Sequence, residues 1–457
     1  MMNRRKFLKG SLATAAVTPC MTSFASLLTS LSSSVAKADT TGDYKALVCV
    51  FLYGGMDNHD VVIPYDKQNY NHWASIRRAL MSPTTRRSRN DLLPLSNVQG
   101  SQQFALPPEL SELHALYEQG NAAIMANVGP LIQPTDAARF AKVPDLQPAR
   151  LFSHNDQQST WMSGSPEGAR YGWGGRMSDA LIQLGSTPNT PFNNISTDAG
   201  ELMLTGIKSY PYRVEGGQAT QPELIEETDD ELRAHLIQHF RSANYTSANP
   251  IQQDLASKMT QSFDANQSYN RATRDIQLST HFPDTELGTQ LQSVANTMAA
   301  RHQLGVSRQL FSVGLGGFDT HSNQATTLPQ LQQQLSKAIT AFYAALQELG
   351  LEKQVTLFTA SDFGRTLAVN DDGTDHGWGG HHFVVGGAVQ GRQILGTVPP
   401  PTLGHGQDAG NGRLIPTTSV DQYAAAFGSW LGVSENILSE IFPNLKNFPT
   451  LNGMFTS

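Results

Sequence analysis

Four short polar clusters in this 457-residue chain hold the side chains that could do chemistry. The first reads Gly54-Gly-Met-Asp57-Asn58-His59-Asp60, and the second Phe152-Ser153-His154-Asn-Asp156, ahead of Trp161-Met-Ser-Gly164. The third is Gly316-Gly-Phe-Asp319-Thr-His321, and the fourth Ser361-Asp362-Phe363-Gly364-Arg365, with Asp375-His376-Gly377 close behind. Carboxylates and imidazoles are the ligand types that a hard-to-borderline divalent cation prefers. An isolated Asp after a strand more often ends a turn or caps a helix. Four clusters together argue for a metal site, because charged groups gathered in one crevice repel and lose solvation unless a cation compensates them.

Other polar residues carry weaker signals. Arg365, beside Asp362, could grip an oxyanion with both arms of its guanidinium or pair with a ligand carboxylate. His381 and His382 precede an apolar run, which favours a core or supporting role, and His59 and Asp60 could support Asp57. Asp156 and Asp375 suit helix capping or orientation. His235 and His239 share the four-residue spacing of a metal pair, but no Glu accompanies them, so they are read as surface residues.

The clusters follow apolar runs. Ala46–Tyr53 is continuous and ends at Gly54-Gly55, the pattern of a strand buried on both faces. Similar runs occupy Ala122–Asn127, Gln309–Leu315, Val355–Ala360 and His382–Val385, with helical patterns over Leu328–Leu349 and Val420–Leu431. Buried strands alternating with helices predict an α/β sheet covered on both faces, with chemistry at the carboxyl ends of the strands. Residues 66–120 are rich in Arg, Ser and Pro. Residues 216–305 carry helical patterns at Pro222–Phe240 and Leu287–His302, and read as a helical insertion or cap.

The first residues read as an export signal. Asn3-Arg4-Arg5-Lys6-Phe7-Leu8-Lys9 precedes an apolar, small-residue run from Leu12 to Leu31, and Val35-Ala36-Lys37-Ala38 supplies a cleavage site. Paired arginines ahead of Phe-Leu-Lys mark the twin-arginine route, whose translocase would be a partner during export; its substrates commonly cross folded, often with a cofactor aboard. Thr and Ser interrupt the run too often for a stable membrane anchor of about 20 apolar residues. Cleavage after Ala38 would remove Arg4, Arg5, Lys6, Lys9 and Lys37 with no acid, taking the net charge from −7 to −12. Such a surface does not suit nucleic acid. Of the two cysteines, only Cys49 would remain, so no internal disulfide is expected and stability rests on a large core, which a mature chain of about 420 residues can supply.

The motifs resemble a known family. Gly54 to Tyr65, Gly317-Phe-Asp-Thr-His321, Ser361-Asp-Phe-Gly-Arg-Thr366, and Asp375-His-Gly followed by Phe383-Val-Val-Gly-Gly387 look like the twin-arginine-exported domain-of-unknown-function family 1501, which is placed in the alkaline phosphatase and sulfatase superfamily. The resemblance implies an alkaline phosphatase-like α/β sandwich over residues 39–457: a mixed, mostly parallel sheet with helices on both faces and the helical insertion. It also implies a one- or two-metal site, zinc or manganese, acting on a phosphate or sulfate ester. Asp319, His321 and His376 resemble one metal's Asp, His, His set, and Asp57 and Asp362 part of the other's. Many superfamily members follow the second Asp with His, where this chain has Phe363.

The implied nucleophile position also departs from the superfamily. Counting ten residues back from Gly164 reaches His154, whereas the usual hydroxyl would be Ser153, one step away. Either Ser153 attacks, activated by a metal and the helix N-terminus, or His154 supplies the missing nitrogen ligand and the attack comes from metal-activated water. The second option repairs both departures and is preferred. The expected function is an exported, periplasmic or secreted metal-dependent hydrolase of a small-molecule or glycan ester. The alternative is a catalytically degenerate binding or assembly protein on the same fold.

Overall fold

The structure, a computed structural model, describes residues 44–456 apart from 83–84, 97–101, 198, 221–224, 226–228 and 247–248. The expected export signal lies outside the described residues. So does part of the helical pattern expected at Pro222–Phe240, whose described helix begins at Asp230.

A ten-stranded sheet forms the centre. In chain order its strands are β1 (Lys45–Leu52), β2 (Ala122–Gly129), β3 (Asn194–Ser196), β4 (Tyr212–Glu215), β5 (Gln218–Ala219), β6 (Arg308–Leu315), β7 (Val355–Ser361), β8 (Gly380–Val385), β9 (Ile394–Leu395) and β10 (Thr418–Ser419). Their spatial order is β9-β2-β8-β7-β1-β6-β3-β4-β5, and β10 also pairs with β2. β1 lies parallel to β6 and β7, in register Leu52 opposite Leu315 and Ser361. β8 runs antiparallel to both β7 and β2, and β5 antiparallel to β4, so the sheet is mixed but mostly parallel.

Alternation along β1 assigns its side chains to two layers, which is why the run had to be apolar throughout. Ala46, Val48, Val50 and Leu52 face a core shared with Leu287, Leu291, Leu335, Ile339 and Phe342. Leu47, Cys49 and Phe51 face the other, with Trp173, Met177, Tyr423 and Phe427. In chain order, the helices that supply these layers or flank the site are α1 (His154–Ser163), α2 (Trp173–Gln183), α3 (Asp230–Thr246), α4 (Pro250–Thr273), α5 (Glu286–Ala299), α6 (Gln324–Glu348) and α7 (Val420–Leu431). The fold is therefore the expected α/β sandwich with helices on both faces. α5 belongs to the core layer, with Leu287, Leu291 and Val294 fully buried, while α3 and α4 form a helical hairpin. The Arg-, Ser- and Pro-rich stretch contains a helix at Lys67–Ile76 and two strands, Leu93–Pro94 and Phe104–Leu106, that form a small three-stranded sheet with Ile63–Pro64.

Parallel alignment of β7, β1 and β6 brings their carboxyl ends to one edge, and this positions the clusters. Gly54 and Gly55 adopt φ of +110° and +90°, and a Cβ on Gly54 would meet the Asp319 backbone nitrogen at 2.3 Å. Only glycine permits so close an approach with that backbone. The chain leaving β7 makes a short hairpin, Arg365–Asn370 with Gly373–His376, before entering β8 in the opposite sense. That reversal is why His376, which precedes its strand, reaches the same edge as residues that follow theirs.

Candidate metal centre

Three imidazoles converge on Asp319. Its Oδ1 lies 3.1 Å from His376 Nε2 and 3.1 Å from His321 Nε2, and its Oδ2 lies 3.4 Å from His154 Nε2. The Nε2 atoms of His321 and His376 are 2.9 Å apart. His154, Asp319 and His376 each offer a ligand atom within 4.8 Å of the others.

The outer nitrogen of every ring faces an oxygen. His376 Nδ1 meets Phe152 O at 2.8 Å, His154 Nδ1 meets Asp362 Oδ2 at 2.6 Å, and His321 Nδ1 lies 3.4 Å from Asp375 Oδ1. A carbonyl or carboxylate can only accept, so the Nδ1 of His376 and of His154 carries the hydrogen, and each of these rings, when neutral, turns its Nε2 lone pair inward. Apart from the Arg365 Nη1 hydrogen on Asp319 Oδ1, these inward lone pairs and the carboxylate have no hydrogen to share, an arrangement suited to a cation. This is the arrangement by which metal-binding histidines are held.

The electrostatics point the same way. Burial would raise the Asp319 carboxyl, but the Arg365 hydrogen bond and charge, with the charge of His321 and His376 when protonated, hold it below the ordinary range. The hydrogen bond to Asp362 raises His154, against opposition from burial. Burial lowers His376, and Arg365 adds to the effect.

Asp362 is fully buried. Its Oδ2 takes His154 Nδ1 and, at 3.0 Å, Gln158 Nε2, while Oδ1 has no hydrogen-bond partner. Phe363 fills the space beside it, its ring centroid 4.9 Å from that of His154 and 4.5 Å from that of His376.

Three candidates sit differently. Asp57 is not part of the convergence: it caps the turn at Asn58–Asp60, its Oδ1 accepting from His59 N, and its Oδ2 pairs with buried Arg77 and accepts from Gln324. Ser153 precedes α1, but its hydroxyl donates to Asp156 Oδ2 at 2.8 Å, along its own helix. Arg365 is fully buried with every nitrogen engaged: Nη1 on Asp319 Oδ1 at 2.7 Å and on Gly54 O, Nε on Thr374 Oγ1, and Nη2 on Thr374 O. It holds the carboxylate and has no face left for a substrate anion.

Burial pushes His59, His381 and His382 down to about 3, so all three are neutral core residues. His59 Nε2 meets Gly412 O, and His382 packs edge-on against Trp161. Asp60 is bound by Arg87, which also holds Glu109. Sequence reasoning missed Arg77, Gln158, Gln324 and the Phe152 carbonyl. Gln158 was the accessible one: it lies four residues after His154 on the same helix face.

A family model described as "Protein of unknown function (DUF1501)" matches residues 44–409. The chain belongs to this family. No curated protein matches it. Among solved structures, Ps i-CgsB in complex with k-i-k-neocarrahexaose is 10% identical, with 89% of this chain and 77% of that one covered at a TM-score of 0.36. PsFucS1 sulfatase from Pseudoalteromonas sp. is 9% identical, with 81% and 66% covered at 0.31. The C-terminal periplasmic domain of EcEptC from Escherichia coli, in complex with Zn, is 8% identical, with 76% and 74% covered at 0.30. Overlap this loose assigns no residue of those proteins to this family member. Among its described residues no helix is long and apolar enough to cross a membrane.

Proposed function

We propose that this protein is an exported metal-dependent hydrolase of phosphate or sulfate esters, with one divalent cation, zinc or manganese, held by His154, Asp319 and His376, and with His321 beside them. One observation carries the reading: three Nε2 atoms face Asp319 while the Nδ1 atoms of His154 and His376 are fixed on oxygens. The residues fit the group, since the set is nitrogen with one carboxylate, the rim is open to solvent, and the buried Asp362 Oδ1 remains as a further acceptor. A divalent cation held there would supply Lewis acidity toward an ester oxygen and acidify water near neutral pH. Asp362 holds His154 in the productive tautomer, Asp375 faces the outer nitrogen of His321, and Phe152 O fixes His376. Arg365 keeps Asp319 ionised and oriented. With the Ser153 hydroxyl engaged by Asp156, the preferred route uses no covalent intermediate on serine.

The reading is tested on protein purified without chelator, by elemental analysis and a screen of phosphate and sulfate esters. We expect bound metal and turnover, both lost in His376→Ala and both kept in Ser153→Ala. A phospho- or sulfo-enzyme trapped on Ser153 would overturn the serine-independent route. The orientation of Ser153 also favours a second reading, a metal-holding binding protein without turnover; metal bound with no hydrolysis of any ester class would support it.

A further inference from the structure

Arg413, which lies against His376 and Phe152, has no acidic partner among the described residues. It is half-buried; its Nε donates to His376 O at 2.8 Å and its Nη1 to Gly410 O at 3.3 Å. Its Cζ lies over the Phe152 ring, 5.3 Å from the centroid. Phe152 O in turn holds His376 Nδ1, so Arg413 rests on two residues that fix one converging imidazole. Phe152 has φ of +72°, a left-handed conformation rarely adopted by a bulky residue, and its carbonyl and ring are both in use at this point.

The other arginines around the centre are committed. Arg365 and Arg77 are buried on Asp319 and Asp57, and Arg150 pairs with Asp156 at 3.1 Å. No carboxylate among the described residues pairs with Arg413, and Nη2 has no partner among them. A guanidinium offers five donors in a planar fork that matches two oxygens of an oxyanion. An anionic group approaching Asp319, Asp362 and Asp375 needs positive charge on its outer side, and Arg413 supplies it.

We propose that Arg413 anchors the substrate by binding a non-reacting oxygen of its phosphate or sulfate group, on the Phe152 side of the centre. The assignment rests on the ester-hydrolase reading and narrows it: esters whose acid portion keeps a negative charge are preferred over neutral carboxylic esters.

The test titrates inorganic phosphate, and in a second arm inorganic sulfate, into metal-loaded wild-type, Arg413→Met and Arg413→Lys proteins. Bound metal and melting temperature are measured for each. Arg413→Met keeps the stem over Phe152 and should weaken binding roughly ten- to hundred-fold for at least one anion, at unchanged metal content. Arg413→Lys, which keeps the charge and loses the fork, should fall between at an unchanged melting temperature. The anion that depends more on Arg413 names the ester class. Equal binding by all three proteins, or binding of neither anion by metal-loaded wild type, overturns the assignment. Wild-type protein that takes up no metal removes the ester-hydrolase reading beneath it, and elemental analysis tells this failure from the others.

Discussion

In the proposed centre, the hydrogen bond between Asp362 and His154 would prepare a ligand. The bond at 2.6 Å fixes which nitrogen carries the proton and raises the ring's affinity for a second one. A cation at Nε2 competes with that second proton, so metal affinity falls on acidification, starting above the ordinary histidine value of about 6.5. In Asp362→Asn the raising influence goes, and the pH midpoint of metal loss should move down. Affinity at neutral pH should still drop, roughly 10- to 100-fold, because the ring is no longer held. Metal titrations across pH read both effects, and a midpoint that does not move would count against Asp362 as the cause.

At the scale of elements, α7 carries a buried acid in its first turn. Ser419 and Gln422 cap this helix reciprocally, and Asp421 between them is pushed up to about 6 by burial. Its folded pKa lies above the unfolded one, so the burial cost is absent below about pH 4 and fully present above about pH 6. Asp421→Asn should therefore stabilise the protein above pH 6, by roughly 1–3 kcal/mol, and make no difference below pH 4. Melting temperatures at pH 4 and pH 8 decide it. The strand ends obey a comparable local logic: the Gly54 turn exists because β1 must stop against the Asp319 backbone.

For the whole molecule, the centre joins segments from across the chain. His154 and Asp362 are 208 residues apart, and His376 and Phe152 are 224 apart. A cation that binds only the folded state stabilises it by about 2.7 kcal/mol when present at a hundred times its dissociation constant. Chelation should lower the melting temperature by a few degrees, and His376→Ala protein should melt at the same temperature with or without chelator. Scanning calorimetry on both proteins checks this, and a wild type indifferent to chelator would argue against a metal that holds these segments together.

The sequence by itself determined the layers. β1, β2, β6 and β7 are legible because a strand covered on both faces must be apolar at every position, and α7 occupies the Val420–Leu431 span its periodicity marks. It also identified Asp57, Asp319 and Asp362 at the sheet's edge, since polar residues directly after such strands stand where parallel carboxyl ends meet; His154, at the start of α1, and His376, ahead of β8, reach that edge by other routes. Only the tertiary structure decided what each side chain does there. Asp57 and Asp319 both follow strands, yet Arg77 and Gln324 take the Asp57 oxygens while three imidazoles face Asp319. Arg365 could have faced a substrate, but the hairpin that returns the chain to β8 buries it on Asp319 and Thr374. A carboxylate's partners come from anywhere in the chain, so their identity depends on long-range packing that local spacing does not encode.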